Sequence, residues 1–73
     1  MVHMRDLREA RGQTLRETGT LAGLSWSELA RVERGERRLS SEARLRIIRA
    51  FDLTDDDVRE VPELTPFPVE VSA

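Results

Sequence analysis

Apolar residues recur in short bursts along this chain, separated by hydroxyl-bearing residues on one side and glycines on the other. That punctuation predicts helices joined by short loops. Thr14-Leu15-Arg16-Glu17 has the form of a capping box, in which a hydroxyl and a carboxylate three residues apart each accept the other's free amide. Ser25-Trp26-Ser27-Glu28 repeats the form, which favours Glu28 as a capping carboxylate. Ser40 with Glu42 is a weaker start. Thr54 followed by Asp55, Asp56 and Asp57 sets three carboxylates in a first turn, where the helix dipole favours them. Gly12, Gly23 and Gly35 mark stops. Five helices follow, at about 4–11, 15–21, 26–34, 41–51 and 55–60. Their apolar faces are read as Met4, Leu7 and Ala10 in the first, Leu24, Leu29 and Val32 in the third, and Leu45, Ile48 and Phe51 in the fourth.

Beyond Glu60 the texture changes. Pro62, Pro66 and Pro68 exclude a helix, and Val69-Glu70-Val71 alternates. An extended edge strand or arm and a disordered tail fit that stretch equally. The chain is therefore read as an all-α domain over residues 1–60 with a short C-terminal tail over 61–73, a candidate dimerisation strand or arm.

Composition narrows the function. At 73 residues there is room for one small domain, which buries only about 60% of the surface its unfolded chain exposes. No cysteine is present, so neither disulfides nor a thiolate metal site can add stability, and no metal or cofactor is expected. One histidine, His3, lies next to a terminus expected to fray, and there is no tyrosine, so an enzyme is not expected. No apolar run approaches the roughly 20 residues that span a bilayer. No secretory apolar segment opens the sequence, and a cytoplasmic location without a membrane partner is the expectation.

The net charge of −2 hides a partition. Residues 1–50 carry eleven arginines against seven carboxylates, whereas residues 51–73 carry one arginine against seven carboxylates. Every basic residue is arginine. Such asymmetry suits a polyanionic partner for the basic part; solvated helix faces rich in Arg and Glu are the plainer alternative.

The second and third helices are joined by Ala22-Gly23-Leu24, and two short helices around a tight glycine-containing turn describe a helix-turn-helix. Helices that cross steeply need a small residue at their contact, which Gly19 supplies. The turn needs a backbone angle that glycine reaches at little cost, which Gly23 supplies. The run from Thr14 to Gly35, ending Arg31-Val32-Glu33-Arg34-Gly35, resembles the helix-turn-helix of the phage repressor, Cro and XRE family of transcriptional regulators. Glu36-Arg37-Arg38-Leu39-Ser40 resembles that family's basic loop, with Leu39 where a proline is common. The resemblance covers about residues 5–58. It departs at Thr18, where an aliphatic residue is usual, at Gly19, where alanine is commoner, and at Ser41 and Arg44, where apolar residues are usual.

The resemblance implies a compact five-helix fold like that of lambda repressor, with the start of the third helix in the DNA major groove. By position Trp26, Ser27 and Arg31 then face base edges. The Arg31 fork matches the O6 and N7 acceptors of guanine; its alternative is an ion pair with Glu28, worth about 0.2–0.5 kcal/mol. Trp26 either meets a thymine methyl or a sugar, or covers the core between the two helices. For Glu28 the capping carboxylate is favoured over the alternative of a side chain that reads cytosine. Thr14, with the free amides at the start of the second helix, forms an anion site, and Arg16 lies beside it. Arg34, Arg37 and Arg38 flank the reading head as phosphate contacts, while Glu33 is structural, pairing with an arginine or capping amides. One headpiece offers few base contacts, so a homodimer on a two-fold operator of double-stranded DNA is expected. Val58, Val61, Phe67, Val69 and Val71 are its candidate interface. The alternative is an antitoxin-like or phage accessory regulator, whose acidic segment from Asp52 to Glu63 holds a protein partner.

Overall fold

The computed structural model describes residues 2–65, all of whose regular structure is helical. Helix α1 spans Met4–Ala10, α2 Leu15–Ala22, α3 Trp26–Glu33, α4 Ser41–Ala50 and α5 Asp55–Glu60, and a single 3₁₀ turn follows at Pro62–Leu64. Each predicted start is made. The hydroxyls of Thr14, Ser25, Ser40 and Thr54 accept the amides of Glu17, Glu28, Ala43 and Asp57, each satisfying one of the amides a first turn leaves without an intrahelical partner. Thr14 and Thr54 complete full capping boxes with Glu17 and Asp57. The stop after α4 carries no glycine: Asp52 itself adopts the left-handed conformation, at φ 54°.

The core runs through Met4, Ala22, Leu29, Val32, Leu39, Ala43, Ile47, Phe51, Val58, Val61 and Leu64. The α3 face is as expected, with Leu29 and Val32 buried and Leu24 packed against them. On α4 the stripe differs. Ala43, Ile47 and Phe51 are buried, Ile48 is only partly buried, and Leu45 is 47% exposed. Three-residue steps fall about 60° short of a full turn of a 3.6-residue helix, so the series 45, 48, 51 walks around the cylinder, whereas 43, 47, 51 drifts less. The same drift leaves Ala10 exposed on α1 while Met4 is buried.

The chain past Glu60 is the larger correction. Val61 and Leu64 are almost fully buried, and Val58 is buried as well. Val58 and Val61 are thus side chains of the protomer's own core and offer no free dimer surface. Pro62 begins the 3₁₀ turn, where its lack of an amide proton costs nothing. That turn packs on α1 and α5, and the Arg44 guanidinium on α4 donates to the Leu64 carbonyl. Residues 2–4, at the end expected to fray, are tied down. The Val2 amide donates to the Glu60 carbonyl at 2.9 Å, and Glu63 accepts from the Met4 amide and contacts His3 Nδ1, both at 3.0 Å. Among the remaining dimer candidates, Phe67, Val69 and Val71 lie outside the described residues.

Candidate nucleic-acid interface

α2 and α3 cross at Gly19. A Cβ there would fall 2.5 Å from the Leu24 carbonyl oxygen, closer than real side chains come, so the crossing requires glycine. The amides of Gly23 and Leu24 both close on the Gly19 carbonyl, and Gly23 turns the chain at φ 69°. Thr18, beside the crossing, is 2% exposed, and its hydroxyl donates to Gln13 Oε1 at 2.7 Å, so burying a polar group here leaves nothing unsatisfied. α4 braces the turn from outside: Arg46 Nη1 donates to the Gly23 carbonyl at 3.2 Å while Nη2 meets Glu42 at 2.9 Å.

The far end of α3 is held by Glu33. Arg8 on α1 grips its carboxylate with two hydrogen bonds, at 2.8 and 3.1 Å, and a third donor of Arg8 reaches the Gln13 carbonyl. The side chains are 13% and 8% exposed. Donating to Glu33 raises the Arg8 pKa above its already high ordinary value. Removing one partner of such a buried pair strands the other charge and costs about 3–5 kcal/mol. Glu33 is thus the structural residue the sequence suggested, and its partner is an arginine 25 positions away.

With both ends fixed, α3 presents Ser27 and Arg31 to solvent, and Trp26 is 45% exposed. The Arg31 side chain makes no hydrogen bond or ion pair among the described residues. Glu28, its anticipated competitor, instead meets Arg37 Nε at 3.3 Å. The second capping box is therefore only half made: Ser25 accepts the Glu28 amide, but the Glu28 carboxylate turns outward to the loop. This brings Arg37 beside Arg31, in an open polar groove lined by Ser25, Ser27, Glu28, Arg31 and Arg37.

The flanking candidates are exposed, and their present partners differ. Arg34 is bidentate to Glu36 at 2.9 and 3.1 Å, which lowers the Glu36 carboxyl below its ordinary value, first through the hydrogen bond and then through charge. Arg38 is exposed on the same loop. The Thr14 hydroxyl and amide are both engaged with Glu17, so Thr14 caps its own helix. Arg16 lies over the Trp26 ring, 5.1 Å from its centroid. Sequence reading did not single out Arg8 or Arg46. Neither has a local signal for its reach across helices.

The comparisons fit this geometry. A family described as a helix-turn-helix domain matches residues 2–61. This chain belongs to the helix-turn-helix domain family, of the Cro and XRE type. The helix-turn-helix domain thus includes the 3₁₀ turn's first neighbour, Val61, in keeping with its burial. No curated protein and no solved structure matches the chain. Among the described residues no helix is long and apolar enough to cross a membrane, and no group of three or more His, Cys, Asp or Glu could hold a metal ion.

Proposed function

We propose that this helix-turn-helix domain is a sequence-specific DNA-binding transcriptional regulator that lays the N-terminal half of α3 in the major groove. The observation that carries the reading is Arg31: an exposed guanidinium on the outer face of α3, with no hydrogen bond or ion pair of its own among the described residues, next to Ser27. A side chain already spent on an ion pair would have to break it before reading a base; this one has its five donors available for the O6 and N7 acceptors of guanine. Arg37, Arg34 and Arg38 supply backbone contacts around it. Arg34 and Arg37 exchange carboxylate partners, exposed Glu36 and half-buried Glu28, for phosphates, a swap that solvent screening of the exposed guanidinium groups makes inexpensive. A homodimer on a two-fold site, with half-sites about 34–36 Å apart, doubles the few base contacts that one head can make.

Selection of duplexes from a random pool tests this, followed by titration of the Arg31→Ala and Arg37→Ala variants on the selected and on unrelated DNA. A two-fold motif is expected. Arg31→Ala should lose about 1–3 kcal/mol on the selected site and relax one base position, while Arg37→Ala should weaken all DNA alike and lower the salt slope by about one. Retention without sequence preference, or identical behaviour of the two variants on both DNAs, contradicts the reading.

A further inference from the structure

Trp26 opens α3, the place where a base-reading side chain is expected, yet its indole is turned back toward α2. It shares a shallow groove with Arg16, Gly19, Thr20, Gly23, Leu24 and Ser25, and the Arg16 guanidinium sits over its ring at 5.1 Å. Both side chains are exposed, so the contact is not a by-product of core packing. The Arg16 side chain has no carboxylate partner and makes no hydrogen bond among the described residues, unlike Arg34, Arg37 and Arg46, each of which has a carboxylate. Glu17, the nearest carboxylate in sequence, is committed to the Thr14 cap.

A guanidinium held over an aromatic ring is oriented without being consumed. The cation–π contact uses its charge and none of its five N–H donors, which stay available along the edges of the planar group. Such an edge fits the oxygens of one phosphate in a bidentate manner, and fixing it beforehand reduces the conformational entropy lost on binding. Arg16 is on α2, the helix that flanks the reading head rather than the one that presents Arg31. The strand backbone is therefore the part of a duplex it meets.

We infer that Trp26 is a positioning residue: its indole holds the Arg16 guanidinium for a single DNA phosphate, so Trp26 acts through Arg16 and not on a base. The inference rests on the DNA-binding reading above, and its consequence is unusual for an uncharged residue. Replacing Trp26 should change the number of counterions released on binding. With one phosphate fewer neutralised, the slope of log K against log salt falls in magnitude by about 0.9.

The test is a double-mutant cycle of Arg16→Ala and Trp26→Ala in the full chain, titrated with a duplex over a range of salt concentrations. Trp26→Phe is added because it keeps a weaker aromatic face. Each alanine variant should bind roughly 3- to 30-fold more weakly at low salt, the loss expected for one hydrogen-bonded contact to a charged group. Each should also show a slope smaller by about 0.9, and the double variant should be no worse than Arg16→Ala alone. Trp26→Phe should fall between wild type and Trp26→Ala. Thermal melting of the free proteins should fall by no more than a few degrees, the size of one exposed cation–π contact in a small domain. In free wild type the Arg16 side-chain protons should show an upfield ring-current shift that Trp26→Ala abolishes. A Trp26→Ala protein that binds more weakly with the wild-type slope, or whose effect adds to that of Arg16→Ala, overturns the inference while leaving DNA binding intact. Wild type that binds no duplex at any salt overturns the DNA-binding reading and this inference together.

Discussion

Asp57 shows how one carboxylate serves the fold. Its carboxylate accepts the Thr54 amide at 2.9 Å while its own amide donates to the Thr54 hydroxyl, and its pKa is held below the ordinary aspartate value, first by the Thr54 backbone amide and then by the Thr54 side chain. A depressed folded pKa means stability that is present above the unfolded value, about 4, and lost as pH falls through the folded one. Wild type should therefore lose this contribution only below about pH 4. Asp57→Asn lacks it throughout. Melting temperatures of the two proteins should differ most at neutral pH and converge in strong acid; a gap constant across that range would contradict the assignment. Signals of this kind, a hydroxyl and a carboxylate three residues apart, are local, and the one at Thr14 was legible in the sequence; at Thr54 the three carboxylates were read for the helix dipole, and the box with Asp57 emerges in the structure. The reach of Arg8 to Glu33 was not, because the pairing depends on where α1 and α3 come to lie. The exchange at Glu28 was hidden for a similar reason: two local bonds compete with one to a loop arginine, and the loop wins.

At the scale of elements, the crossing of α2 and α3 is governed by backbone contact rather than by helix preference. Alanine in place of Gly19 would gain about 0.8–1 kcal/mol of helix propensity in an exposed helix. Here the added methyl meets the Leu24 carbonyl, a backbone atom that cannot swing away. Gly19→Ala should thus destabilise the domain, by about 1–3 kcal/mol as overpacked sites do. Chemical denaturation checks it, and a more stable Gly19→Ala protein would show that the helices can separate at no cost. The turn itself was readable because its demands fall on adjacent residues. The α4 face was less so. Its apolar residues are dense enough to support two stripes, and only the 3.6-residue period, applied over the whole helix, separates buried Ile47 from exposed Leu45.

Over the whole molecule, the acidic end of the chain and the basic reading head are joined by a core that continues through the 3₁₀ turn. Leu64 is fully buried, and the backbone at Val2 and Met4 is clasped to Glu60 and Glu63. Prolines at 62 and 66 read as the start of a tail because proline forbids a continuing helix, yet it does not forbid a buried 3₁₀ turn. Val58 and Val61 consequently stabilise the fold of the single chain and present no free apolar surface. The charge partition survives in three dimensions in one respect: the α2–α3 unit and its following loop carry exposed arginines, while α5 exposes Asp55, Asp56 and Glu60.

The proposed contact between duplex DNA and the outer face of α3 is tested by backbone amide chemical shifts recorded while a duplex is added. The largest changes are expected from Ser25 to Arg31 and from Arg34 to Arg38, with smaller ones at the start of α2 and none at Val58–Leu64. Changes confined to α5 and the 3₁₀ turn, with α3 silent, would contradict it.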